Sequence, residues 1–163
     1  MMKYFAFIII IMLSCTKEPS PKSICYNEDY PPRNIEKVTI DQGLWGDVWF
    51  WKGDFMPVGF GTICQVQRTI YIYELTDDKD VVKAEPYTSF YSAINTKLVA
   101  TTESNSMGFF QIKLEPGSYS LFVKEDNFYY SNLFDGHGDI YPVHIESGKV
   151  SGVRFDITYD ATN

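Results

Sequence analysis

The stretch Gly43-Leu44-Trp45-Gly46-Asp47-Val48-Trp49-Phe50-Trp51 carries all three tryptophans of the chain, with one carboxylate among them. Side chains alternate across a β-strand, so Leu44, Val48 and Phe50 fall on one side and Trp45, Asp47, Trp49 and Trp51 on the other. Indole faces stack on sugar rings or anchor a protein partner, and Asp47 would supply the polar contact. This is the chemistry of binding rather than of bond breaking.

Residues able to break bonds are sparse. His137 and His144 are the only histidines, and neither lies in an H-E-x-x-H or H-x-x-E spacing that would hold a catalytic zinc. No G-x-S-x-G elbow presents a serine nucleophile. His144 alternates with Val143 and Ile145, which makes it an outward strand position. We therefore expect no enzyme and no cofactor. Asp135-Gly136-His137-Gly138-Asp139 sets two carboxylates four residues apart on a glycine-rich loop, a spacing that suits oxygen ligation of calcium. The same Asx and Gly spacing makes ordinary hairpin turns, and a turn without metal is the expectation.

The start of the chain sets the address. Lys3 precedes the apolar run Tyr4 to Leu13, then Ser14 and Cys15. As a helix such a run rises only about 15 Å, half the hydrocarbon thickness of a bilayer, so residues 1–14 read as an export signal rather than a membrane span. Met12-Leu13-Ser14-Cys15 resembles the lipobox of bacterial lipoproteins, in which a small residue precedes the cysteine that is lipidated and becomes the mature N-terminus. Met12 and Leu13 depart from the usual Leu and small residue. The resemblance implies three acyl chains on Cys15, and at about 0.8 kcal/mol per buried methylene the membrane attachment is permanent. Thr16 stands where an inner-membrane retention signal has Asp, which implies an outer-membrane lipoprotein facing the periplasm or the cell surface. Removing residues 1–14 takes away one Lys and no acid, so the net charge goes from −7 to −8. Such a charge does not suit nucleic acid or anionic headgroups as partners. With Cys15 lipidated, Cys25 and Cys64 remain as a pair in an oxidising compartment. They are either bridged, closing a loop of about 40 residues that pins the N-terminal segment to the domain, or two buried thiols.

A chain of 163 residues has room for one domain with a substantial core, and an aromatic content of 17% excludes a disordered polymer. Residues 15–35, with Pro19, Pro21, Pro31 and Pro32, read as a lipidated tether, and order begins near Lys37. Residues 36–163 form the domain. Apolar residues there recur with period two, and the expected strands are Gly43 to Trp51, Val66 to Leu75, Leu98 to Thr102, Phe109 to Leu114, Ser118 to Lys124, Tyr141 to Ile145 and Val153 to Tyr159. No segment carries a capped helical stripe. The fold class is all-β, an antiparallel β-sandwich of about seven strands.

In the stretch from Asn105 to Val123, Phe110, Ile112 and Leu114 alternate on one face, Pro116-Gly117 makes a reversal, and Tyr119, Leu121 and Val123 alternate again. This predicts a β-hairpin, with Asn105 and Gly108 supplying the turn before it. The pattern resembles the carboxypeptidase regulatory-like domain, a transthyretin-like, immunoglobulin-like sandwich. Its recurring motif is a turn ending in Gly, then x-Phe-x-Ile-x-Leu, then Pro-Gly-x-Tyr-x-Leu-x-Val. Gly46-Asp47-Val48 looks like the Gly-x-Val of that family's first strand, and Thr69 to Tyr73 like its second. The similarity spans roughly Lys37 to Tyr159. It departs at the Asp77–Thr96 insertion and the Phe128–Pro142 segment, where an individual function would reside. The resemblance implies a non-catalytic accessory module and no chemistry of its own.

Ile70 and Ile72 inward leave Tyr71 and Tyr73 outward, and Phe109 and Phe122 likewise. Seven aromatics therefore fall on positions that do not face the core. Either the Asp77–Thr96 insertion and the segment before Lys37 fold over them, adding a second small core with Tyr87, Phe90 and Tyr91, or part of the surface stays open. In the open case Trp45, Asp47, Trp49, Trp51, Tyr71 and Tyr73 form the binding face. The expected function is a non-catalytic cell-envelope lipoprotein, a binding or assembly module for an envelope protein. The alternative is a glycan-binding surface lipoprotein that uses the aromatic face.

Overall fold

A computed structural model describes residues 24–27, 36–57, 59–86 and 88–162. Residues 1–14 and Cys15, which carry the export signal and the lipidation site, lie outside the described residues, as does Tyr87. Among the described residues there are twelve strands and no helix. The strands are β1 (Cys25–Tyr26), β2 (Gly43–Asp54), β3 (Gly61–Gln65), β4 (Thr69–Glu74), β5 (Val81–Lys83), β6 (Phe90–Ile94), β7 (Leu98–Glu103), β8 (Phe109–Ile112), β9 (Gly117–Glu125), β10 (Phe128–Tyr130), β11 (Pro142–Ile145) and β12 (Val150–Thr162). They build two sheets packed as a sandwich. Sheet A runs β1-β3-β2-β12, with β8 also on β2, and sheet B runs β5-β6-β10-β9-β4-β7, with β11 also on β9.

The seven strands marked by alternation are all present as β2, β4, β7, β8, β9, β11 and β12. The other five have at most five residues each, too few for a period to stand out. One pairing departs from the antiparallel expectation, since β12 runs parallel to β2 from Val150 beside Gly43 to Thr162 beside Asp54. These are the first and last long strands, and no tight turn joins them to force opposite directions.

The Phe109–Val123 region is not the expected hairpin. β8 pairs with β2 in sheet A, whereas β9 pairs with β4 in sheet B. The Pro116-Gly117 reversal therefore carries the chain from one sheet to the other. Alternation reports which side chains face the interior, and Phe110, Leu114, Tyr119, Leu121 and Val123 are indeed buried there together. It says nothing about which strand receives the backbone hydrogen bonds. The corner is held by Tyr119 Oη, which donates to the Glu115 carbonyl at 2.9 Å, and by Gln42 Nε2, which donates to that of Leu114 at 3.0 Å. The turn before β8 forms as the sequence implies. Asn105 Oδ1 accepts from the amides of Met107 and Phe109, and Gly108 adopts φ 76°, where its missing Cβ lets it pack on the Val48 carbonyl.

The interior lies between the sheets. Leu44, Val48, Phe110, Phe155 and Ile157 from sheet A meet Ile70, Ile72, Leu121, Val123, Tyr130, Val143 and Ile145 from sheet B, and every one is buried. Burying each such side chain contributes about 1.5–3 kcal/mol. One end of the sandwich is aromatic: Tyr159 touches Phe50, Phe90 and Tyr130 with ring centroids 5.1–5.5 Å apart. Its hydroxyl donates to Glu125 at 2.9 Å, and burial with that hydrogen bond pushes the phenol up to about 12. Glu125 is itself buried, with Arg68 as its cation. Arg68→Ala leaves that carboxylate without its charge partner, and we expect a loss of about 2–4 kcal/mol in urea unfolding. A loss below about 0.5 kcal/mol, typical of an exposed pair, would contradict the assignment.

Residues 15–35 are not a free tether throughout. Cys25 and Cys64 are disulfide-bonded, with a sequence separation of 39, and they face each other across β1 and β3. The chain-entropy model values a loop of that length at roughly 4 kcal/mol. That constraint fastens a strand of two residues, which would not hold a sheet edge by itself.

Candidate functional site

Trp45, Asp47, Trp49 and Trp51 share the outer face of sheet A. Register sets Gln111 of β8 beside Trp45, Gln65 and Ile63 of β3 beside Trp49 and Trp51, and Arg154 and Asp156 of β12 beside Asp47 and Trp49. The Arg154 guanidinium carbon lies 5.2 Å from the ring centroid of Trp49 and 5.8 Å from that of Trp51. Asp156 orients the group, accepting from Trp51 Nε1 at 2.7 Å and from Arg154 Nε at 2.9 and 3.1 Å. A cation against two indoles, fixed by one carboxylate, is a rigid arrangement.

This face is largely covered. Asp47, Trp49 and Ile63 have no exposed surface. The Tyr26 ring of β1 packs on Trp49 at 5.8 Å, Phe55 on Trp51 at 5.0 Å and Phe109 on Trp45 at 6.2 Å. Residues 36–39 run along β8, where Thr39 and the Gln111 side chain exchange hydrogen bonds of 2.9 and 2.8 Å and Asn105 bonds Glu36. The segment before Lys37 thus supplies part of the cover. The Asp77–Thr96 insertion does not, because its β5 and β6 extend sheet B, Phe90 packing on Tyr130 and Tyr159 and Tyr91 on Phe122.

Tyr71 and Tyr73 do not join the tryptophans. They lie on the outer face of sheet B with Phe122, Tyr129 and Tyr91, in edge-to-face contacts of 5.2–6.5 Å. β2 and β4 belong to different sheets, so outward means opposite directions for the two strands, and the six residues make two faces rather than one. Burial pushes the Tyr91 phenol up to about 12, and burial together with Tyr129 raises that of Tyr73. Both hydroxyls stay neutral.

Other sequence candidates fall elsewhere. Asp135 Oδ1 accepts from the backbone N–H groups of His137 and Asp139 at 2.8 and 3.0 Å, the expected turn, and the His137 amide is the main cause of its lowered carboxyl pKa. His144 does point outward, 3.2 Å from Ser118 Oγ. Both side chains are exposed on neighbouring strands, where bulk water reaches them freely. A cleft of about 640 Å³ opens between β7 and the β8–β9 corner, lined by Val99, Leu114, Lys113 and Asp41.

Among the described residues, Trp49 Nε1, Gln65 Oε1 and Arg154 Nη2 are buried polar atoms on the outer face of sheet A without a hydrogen-bond partner. Trp49 and Gln65 are direct neighbours across β2 and β3. Gln65, Arg154, Asp156 and Tyr26 are not apparent as site residues in the sequence. The parity of Val153, Phe155 and Ile157 turns Arg154 and Asp156 outward, but nothing local places β12 beside β2. Comparison with protein families, with curated proteins and with solved structures finds no match to the chain.

Proposed function

We propose that the protein is a non-catalytic lipoprotein of the cell envelope, held by lipid on Cys15, whose sandwich serves as a binding or assembly module of the carboxypeptidase regulatory-like kind. The observation that carries this reading is the tip of the β2–β3 hairpin. Phe60 is 95% exposed and Met56 51% exposed there, whereas most large apolar side chains of the strands are covered. Hydrogen bonds hold the residues flanking the tip: the Met56 amide bonds Asp54, the Gly59 amide bonds the Met56 carbonyl, and the Phe55 amide bonds that of Thr162. An exposed aromatic is the kind of group that fills a pocket on a protein partner. A photo-crosslinking residue at position 60 should yield a discrete protein adduct in intact envelopes, while the same residue at the exposed Lys79 should not. Identical products from both positions, or lipid adducts alone, would count against a protein partner.

A second reading, a glycan-binding surface lipoprotein, is favoured by one observation. Trp49 and Gln65 are cross-strand neighbours, and each buries a polar atom with no partner among the described residues, one a donor and one an acceptor, at an aromatic face.

A further inference from the structure

We propose that the Cys25–Cys64 disulfide is a latch on a strap, β1, that closes a carbohydrate site formed by Trp49, Gln65 and Arg154, and that thiol–disulfide exchange opens it. The site rests on the glycan-binding reading; the latch does not.

The strap is weak apart from its covalent bond. It contributes two ladder positions, Cys25 against Cys64 and Tyr26 against Ile63, with one more hydrogen bond from the Gln65 amide to the Ile24 carbonyl at 3.0 Å. A ladder of that length does not persist by itself. Beside it on the outer face, Trp49 and Ile63 have no exposed surface and Gln65 only 4%, and the Tyr26 ring of β1 packs on Trp49. All three sit on the outward side of their strands, and Trp49 owes part of its burial to Tyr26 of the strap. Leaving polar atoms of Trp49 and Gln65 buried and unpaired is unfavourable, and a site that is opened and filled removes the penalty.

The uncovered surface suits a hexopyranose. Displacing Tyr26 frees one side of the Trp49 ring, a flat apolar surface for the C–H face of a sugar. Trp49 Nε1 and Arg154 Nη2 then donate to hydroxyl oxygens, and Gln65 Oε1 accepts from a hydroxyl. Arg154 remains against the indoles, fixed by Asp156, so the far wall of the site is preformed.

The latch is within reach of a dithiol reductant because Cys25 is exposed. One thiolate of the reductant attacks a sulfur of the pair and breaks the S–S bond, giving a mixed disulfide, and its second thiol resolves it. The reductant leaves as its own disulfide, having lost two electrons and two protons. Cys25 and Cys64 gain them as two thiols.

The test compares oxidised full-length protein, protein treated with dithiothreitol, and the Cys25→Ser/Cys64→Ser double variant, with far-UV circular dichroism confirming that the sandwich persists. Acrylamide quenching of tryptophan emission reads the strap. Mobility in native gels containing starch, laminarin, xylan or galactomannan reads the site. Opening is expected to raise the quenching constant about twofold as a closed segment of the surface opens. Retardation by at least one polysaccharide should appear only in the opened forms and vanish with Trp49→Ala. If the double variant fails to fold, Tyr26→Ala, which keeps the disulfide, should show the same two changes. Unchanged quenching, or retardation of the oxidised protein as strong as that of the reduced, would overturn the latch. Increased quenching with no retardation in any gel would overturn the carbohydrate site and leave the latch standing.

Discussion

Gly43→Ala is expected to prevent the sandwich from assembling at ordinary temperature. Gly43 opens β2 at φ 133°, a conformation that a side chain makes costly. A Cβ there would lie 2.2 Å from the Ile112 carbonyl oxygen and 2.9 Å from the Leu114 amide nitrogen and Lys113 Cα. All three are backbone atoms at the end of β8, so relief requires pulling β8 away from β2. Backbone strain of about 1–3 kcal/mol adds to an overpacking cost of similar size. Together they consume much of the roughly 5–15 kcal/mol that holds a domain folded. Thermal melting by circular dichroism checks this: the variant should lack a cooperative transition or melt far below the parent, and a melting point unchanged within a few degrees would mean that β2 and β8 do not meet as described.

Cys15→Ala is expected to move the protein from the membrane fraction to the soluble one. On the proposed lipidation, three acyl chains would bury several tens of methylenes, and at about 0.8 kcal/mol each their removal would abolish attachment. An acidic chain has no electrostatic hold on anionic lipid to replace them. Fractionation with metabolic palmitate labelling checks this, and a variant that remains fully sedimented with membranes would show that the attachment lies elsewhere. Phe60 and Met56 at the β2–β3 tip give such residual binding a place to arise, so Phe60→Ser in the same background separates the two sources.

The alternation that marks β2, β4 and β9 also places Val48, Ile70 and Leu121 in the interior, because a one-residue slip would turn every apolar side chain to the solvent. The same rule puts Trp49 and Tyr71 outside the core. What alternation lacks is any knowledge of partners. It reads β8 and β9 as a hairpin when each belongs to a different sheet, and it groups Tyr71 with Trp49 when the whole thickness of the sandwich separates them. Both errors share a cause, since pairing between distant segments is fixed by the packing of the complete core and leaves no trace in a local window. The site's polar members were hidden for the same reason. Arg154 and Asp156 are 105 and 107 residues beyond Trp49, and only the parallel pairing of β12 with β2 brings them to the indoles. Within residues 15–35 the cysteine count leaves a bridge or two thiols open, and the structure has the bridge, which ties Cys25 to β3.

Sheet A closes its tryptophan side with β1, while the tyrosines line the opposite surface. Nuclear Overhauser contacts among the aromatic side chains in solution test this most directly. The account predicts contacts from the Tyr26 ring to the Trp49 indole and from Tyr129 to Tyr71 and Tyr73, with none joining the two groups. Contacts from Trp49 or Trp51 to Tyr71 or Tyr73, or a Trp49 indole with no neighbour in β1, would contradict it.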